Sequence, residues 1–140
     1  MRIIIAGGRE FNDYDLLVYN VSTIITRLAG QNVEKKFTST GIEYVTPVDK
    51  NYEIVCGKAR GADTLGEKFG KEYGFKIKYF PADWDNLGKR AGYVRNADMA
   101  IYAKEDNGVL IAFWDGQSKG TKHMIDLANK YGLKVFVINY

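Results

Sequence analysis

The stretch MRIIIAGGREFND, residues 1–13, carries four apolar residues in a row, Ile3, Ile4, Ile5 and Ala6, then paired glycines, then an aspartate. An apolar run without polar alternation belongs to a strand covered on both faces, as in a parallel sheet. Gly7 and Gly8 can turn the chain sharply after it. Asp13 stands where a helix N-cap is needed, ahead of Leu16, Leu17, Tyr19, Val21, Ile24, Ile25 and Leu28, whose spacing makes one apolar stripe, and Gly30 can end the helix. Strand, glycine turn and capped helix are the first half of a βαβ unit.

The same rhythm recurs along the chain. A strand is expected at 53–56, followed by GKARGAD and a helix at 64–73 that stops at Gly74. A third strand covers 75–80 and is closed by Pro81. ADWDNLGKRAG is a loop, or the beginning of a helix that continues through YVRNADMAIYA. A fourth strand at 109–113, the loop WDGQSKG, a helix at 121–130 and a fifth strand at 134–138 complete the pattern. The prediction is a single α/β domain over residues 1–140, a Rossmann-like, doubly wound, mainly parallel five-stranded sheet with helices on both faces. Right-handed crossovers then bring every strand-to-helix loop to one edge. Residues 31–52 break the rhythm, since they are too many for an ordinary connection. FTSTGIEYVT reads as a β-hairpin turning near Thr40 and Gly41, and serves either as surface decoration or, through Phe37 and Tyr44, as a lid or an arm on another subunit.

Composition narrows the function classes. With 46% hydrophobic and 26% charged residues the chain matches ordinary globular domains. It has no apolar run long enough for a membrane span, and a lone cysteine, Cys56, inside an apolar run fits a reducing compartment, so a cytoplasmic protein without membrane contact is expected. The net charge of +3 comes from 20 basic and 17 acidic residues spread along the chain, which suits a small anionic ligand better than nucleic acid. Ten tyrosines exceed the needs of a small core, which points to a ligand site or a subunit contact and, with the insertion, to a homo-oligomer.

Four loops carry candidate chemistry, and the predicted fold gathers them. In AGGREF, Gly7 and Gly8 let backbone N–H groups approach an anion, Arg9 can clamp it, and Phe11 closes the loop. In GKARGAD, Gly57, Lys58, Arg60 and Gly61 repeat that logic, and Asp63 either caps the next helix or holds ribose hydroxyls. In PADWDNLGKRAGYVRN, Trp84 offers a face for a base, with Asp83, Arg95 and Asn96 beside it. In FWDGQSKGTKHM, Gly116, Ser118, Gly120 and Thr121 form a phosphate-cradling nest at a helix start, Lys119 adds charge, and Trp114 is a second candidate for the base.

Other chemistries lack their parts. Neither glycine-rich loop meets the spacing of a Walker A phosphate loop, and G-x-G-x-x-G is absent. His123 has no second histidine or cysteine for a zinc site and reads as a surface residue. Cys56 reads as a small core residue. Asp83 and Asp85 could pair for acid–base work, although such aspartates more often cap helices or orient an arginine. No metal or cofactor is expected.

Taken together and in order, AGGREFND, CGKARGADTL, FPADWDNLGKRAGYVRNADM and AFWDGQSKGTKHMIDLA resemble the YspA-like branch of the SLOG superfamily, related to LOG and DprA-type domains, over nearly all of the chain except residues 31–52. The resemblance implies a Rossmann-like fold that binds nucleotide derivatives such as ADP-ribose-like or cyclic nucleotide signals. LOG enzymes, which cleave the N-glycosidic bond of a nucleoside monophosphate, carry a catalytic glutamate in G-G-x-G-T-x-x-E. Here Gly120 and Thr121 match, but Met124 stands at the glutamate position, and a thioether cannot relay a proton. Arg95 matches the arginine-bearing helix. The expectation is therefore binding without turnover, as a sensor or as a sequestering sponge, for instance in phage anti-defence. Phosphates would sit at residues 7–9 and 116–121, ribose at Asp63 or Asn96, and the base at Trp84 or Trp114. The alternative is a nucleotide N-glycosidase or phosphodiesterase that uses another acid.

Overall fold

A computed structural model describes residues 1–30, 33–47 and 51–140, with the backbone alone at 33 and 44–47. Five strands form one sheet: β1 (Arg2–Gly7), β4 (Glu53–Cys56), β5 (Lys76–Tyr79), β6 (Val109–Trp114) and β7 (Lys134–Asn139). They lie in the order β5-β4-β1-β6-β7, and every neighbouring pair is parallel. The helices are α1 (Tyr14–Ala29), α2 (Ala62–Glu72), the short α3 (Trp84–Leu87), α4 (Ala91–Lys104) and α5 (Lys119–Lys130), with one 3-10 turn at Gly88–Arg90 between α3 and α4. The order, and helices on both sides of the sheet, agree with the Rossmann-like expectation.

The apolar runs are continuous because successive side chains serve two cores. Ile3 and Ile5 of β1 point into one, with Ile54, Ile111, Phe113, Phe69 and the buried stripe of α1, Leu17, Val18, Val21, Ile24 and Ile25. Ile4 and Ala6 point into the other, with Val55, Leu110, Ala112, Met99 and Ala103 of α4, and Met124 and Ala128 of α5. Strand side chains alternate with period two, so a strand buried on both faces needs an apolar residue at every position. Burying each isoleucine contributes about 1.5–3 kcal/mol. The edge strand β5 instead exposes Lys76 and Lys78, charges that discourage further strand pairing.

Local signals account for most boundaries. The Asp13 side chain accepts the Leu16 N–H at 3.0 Å, and Gly30 ends α1 with φ 83°. Two helices begin two residues earlier than expected. Gly61, at φ 81°, turns the chain directly into α2, so Asp63 lies inside the first turn and is not its cap. Ser118 caps α5 by accepting the Thr121 N–H at 3.4 Å, which starts that helix at Lys119. Strand β5 is one residue shorter at each end than the apolar pattern implied.

The insertion is an antiparallel hairpin of β2 (Val33–Phe37) and β3 (Glu43–Pro47). Its turn is closed by Thr38, whose hydroxyl accepts the Ile42 N–H, and by Gly41 at φ 86°. Thr40 donates to Asp15 near the start of α1, and β3 packs along that helix. Phe37 is 65% exposed. The Tyr44 side chain and residues 31, 32 and 48–50 lie outside the described residues.

Glycines let the loops of β1 and β4 touch. A Cβ on Gly61 would meet the Gly8 carbonyl and stand 2.6 Å from the Arg9 carbonyl oxygen, on top of a positive φ. Gly74 has a positive φ of 76° but open space around it. Gly61→Ala should therefore cost about 3 kcal/mol or more, combining clash and strain, and Gly74→Ala about 1 kcal/mol, from strain alone. Urea denaturation of both variants checks this, and equal losses would mean that the contact is not tight.

Candidate functional site

Moving outward from β1, the chain builds β4 and β5 on one side and β6 and β7 on the other. The helix after β1 and the helix after β6 pack on opposite faces, so the loops at these two strand ends part and leave a crevice. A cleft of about 470 Å³ occupies it. That is within the usual range for small-molecule sites. Of the residues expected from sequence, Gly7, Gly8, Arg9, Asp63, Trp84, Arg95, Asn96, Ser118, Gly120 and Thr121 line it. A second hollow adjoins it, shares Arg9, Trp84 and Arg95 with it, and adds Gly57, Lys58 and Arg60.

The remaining candidates sit elsewhere. Phe11 is buried, stacked on Phe113 with ring centroids 4.8 Å apart, and supports the glycine loop from below. Gly61 is the contact between loops described above. The Asp83 carboxylate accepts the Asn86 N–H and caps α3. Trp114 donates its indole N–H to the Ser118 carbonyl at 3.1 Å, which ties down the loop after β6. Gly116, on that loop, and Lys119, the first residue of α5, are exposed and do not line the cleft.

Several lining residues had no local signal in sequence. Met99 and Met124 form an apolar floor, while Tyr93 and Tyr140 stand at the walls, Tyr140 with its hydroxyl over Gly8. The Trp84 ring lies against Gly92 at the start of α4, where a Cβ would make ordinary contact with the ring at 3.4 Å.

Arg95 is held by a chain of hydrogen bonds. It donates from Nη1 to the Gly57 carbonyl and from Nε to Asn96 Oδ1 at 3.0 Å. The buried Asn96 amide donates to the Gly120 carbonyl at 3.3 Å and lies 3.2 Å from His123 Nδ1. Burial lowers the His123 pKa, which favours the neutral ring whose Nδ1 accepts from Asn96. The Tyr93 ring meets the same imidazole edge-on at 4.5 Å. His123 is thus not a plain surface residue; it braces the asparagine that orients Arg95.

Charge around the cleft is mixed. Arg9 is exposed and forms no ion pair among the described residues. Asp115 accepts the Gln117 and Ser118 N–H groups, both at 2.8 Å, which hold its carboxyl below the usual range. Two amides of the expected phosphate nest are therefore already satisfied internally. The Cys56 thiol is pushed up to about 11 by burial, which leaves it a protonated core group at neutral pH.

Asp63 is the buried titratable group of the site. Burial pushes its carboxyl up to about 6, against the pull of Arg95, the Ala59 N–H at 3.2 Å and Arg9. A raised carboxyl pKa means that the fold favours the protonated form. Its stabilisation is complete below the ordinary value of 3.8 and is lost as the pH rises through about 6. The parent should lose about 2–3 kcal/mol from this group between pH 4 and pH 7, and Asp63→Asn should not. Denaturant titrations across that range decide the matter, and parallel pH profiles for parent and variant would remove Asp63 from this role.

Among the described residues no group of three or more His, Cys, Asp or Glu side chains is placed to hold a metal ion, and no helix is long and apolar enough to cross a membrane. No family model and no solved structure matches the chain. It is 38% identical over 87 residues to the Gene 61 protein of Mycobacterium phage D29, an alignment that covers 59% of this chain and 67% of that protein. On that likeness, the chain belongs to the same family as the phage D29 Gene 61 protein.

Proposed function

We propose that this protein binds a nucleotide-derived small molecule in the cleft at the β1 and β6 strand ends and does not turn it over. The observation that carries this reading is one crevice in which an apolar floor, an exposed indole, an unpaired guanidinium and a braced guanidinium converge. Met99, Met124, Tyr93 and Trp84 offer a base or sugar face. Asp63, Ser118 and Thr121 offer partners for hydroxyls, and Arg9 and Arg95 offer charge for phosphate. The resemblance to the YspA-like branch of the SLOG superfamily supports the same class of ligand. Met124 supports binding over cleavage, because it is a buried floor residue where the LOG enzymes use a glutamate.

In biological terms the reading is a sensor or a sponge for an ADP-ribose-like or cyclic nucleotide signal, acting in the cytoplasm. The phage origin of the relative leans towards a sponge that blunts host defence. Self-association belongs to the same proposal, since Tyr19, Phe37 and Ile101 are exposed.

A second reading has one observation of its own. Asp63, buried at the cleft with a carboxyl near pH 6, has the character of a general acid, so a nucleotide N-glycosidase or phosphodiesterase is the rival. The two separate on incubation with ADP-ribose derivatives, cyclic dinucleotides and nucleoside monophosphates, followed by denaturation and mass spectrometry. Stoichiometric release of one intact nucleotide is expected, and product accumulating beyond stoichiometry would make the protein an enzyme. Arg9→Ala should weaken binding of the retained nucleotide by roughly 10–100-fold with unchanged melting, the usual scale of a charge-assisted contact.

A further inference from the structure

The hollow beside the main cleft differs from it in charge. Arg9, Lys58, Arg60 and Arg95 line it, and no carboxylate does. The main cleft instead sets Glu10, Asp63 and Asp115 against Arg9, Lys89 and Arg95. We infer that the second hollow receives the terminal phosphate or diphosphate of the ligand, while its nucleoside part lies in the main cleft; this rests on the nucleotide reading above.

Three observations carry the assignment. First, a terminal phosphate bears up to two negative charges, which a cavity walled by cations accommodates and one with three carboxylates opposes. Second, the alternative cradle at the start of α5 has already lost the Gln117 and Ser118 amides to Asp115. Third, three of the four cations of the hollow, Arg9, Lys58 and Arg60, are either free or loosely held. Arg9 has no ion pair among the described residues, whereas Lys58 pairs with Glu67 and Arg60 with Glu10, each at 2.8 Å with an exposed cation. Exposed pairs of this kind are weak, so both side chains can turn to an incoming anion. Arg95, fixed by Gly57 and Asn96, stands between the two spaces, and Trp84 rims both. The preferred ligand class is therefore a linear nucleotide with a free phosphate end; a cyclic dinucleotide, whose bridged phosphates carry one charge each, fits this arrangement less well.

Calorimetric titration with inorganic pyrophosphate at physiological ionic strength tests the assignment. Lys58→Ala and Arg60→Ala should each weaken pyrophosphate binding roughly 5–20-fold, as expected for a lost charge-assisted contact. Lys134→Ala, which removes an exposed cation at the start of β7 in neither the cleft nor the hollow, should change it less than about twofold. Circular dichroism establishes that the variants fold, which the exposure of all three side chains favours. Pyrophosphate binding that ignores Lys58 and Arg60, or that falls with Lys119→Ala, overturns the assignment and returns the phosphate to the start of α5. So does absence of pyrophosphate binding. The nucleotide reading fails in a different arm: if pyrophosphate binds as described but adenosine, guanosine, cytidine and uridine do not enter the main cleft, the anion hollow stands and the nucleoside half falls.

Discussion

Gly8 is where the backbones of three elements meet. Its N–H donates to the Phe113 carbonyl at the end of β6, at 3.1 Å, and its own carbonyl accepts from Phe11 at 3.2 Å and from Ala62 at 3.3 Å. Gly61 presses against the same carbonyl from the loop after β4. Side chains at Gly7 or Gly61 would force these backbones apart, since a Cβ on Gly7 meets the Phe113 carbonyl and one on Gly61 the Gly8 and Arg9 carbonyls, whereas one on Gly8 meets only the Tyr140 hydroxyl. The contact fixes where α2 starts, and with it the depth at which Asp63 is buried. It also fixes the direction in which Arg9 leaves β1. A crevice at the strand ends is general to this architecture, but the placement of Asp63 and Arg9 at it depends on this one close approach.

That dependence explains how much was legible in the sequence. The positions of the strands and helices follow from local signals, because buried parallel strands must be apolar at every position and the helices between them carry caps at Asp13, Gly30 and Gly74. The hairpin was legible at Thr40 and Gly41 for the same reason: its turn is stabilised within five residues. The cleft was legible where a loop announces itself by glycines beside cations. It was not legible where contacts are distant. Tyr140 reaches Gly8 across the whole chain, and His123 meets Asn96 from another helix. Nothing in the neighbourhood of either residue encodes that meeting. The nest predicted after β6 was plausible by composition, yet Asp115 turns back on its own loop and takes two of the amides. A composition that can cradle an anion can equally be satisfied by a neighbouring carboxylate.

Asp63 marks the point where stability and the proposed binding pull apart. It is not the cap of α2, and its backbone contact to Ala59 could be made by an uncharged side chain. Burying a carboxyl there is costly, as its raised pKa records. Such a cost is more often tolerated at a working site than in a core. Its electrostatic partners are Arg95 and Arg9, the two guanidinium groups that line both the cleft and the hollow beside it. An anion held by those arginines would draw on the same positive field that keeps Asp63 ionised, so occupancy of the hollow and the charge of Asp63 oppose each other. The His123–Asn96–Arg95 chain makes that opposition hard to relax, because Arg95 cannot swing towards one side without breaking bonds to Asn96 and Gly57. In the proposed arrangement, the protonation state of Asp63 and the filling of the anionic subsite would be coupled through Arg9 and Arg95, of which Arg95 is held in place.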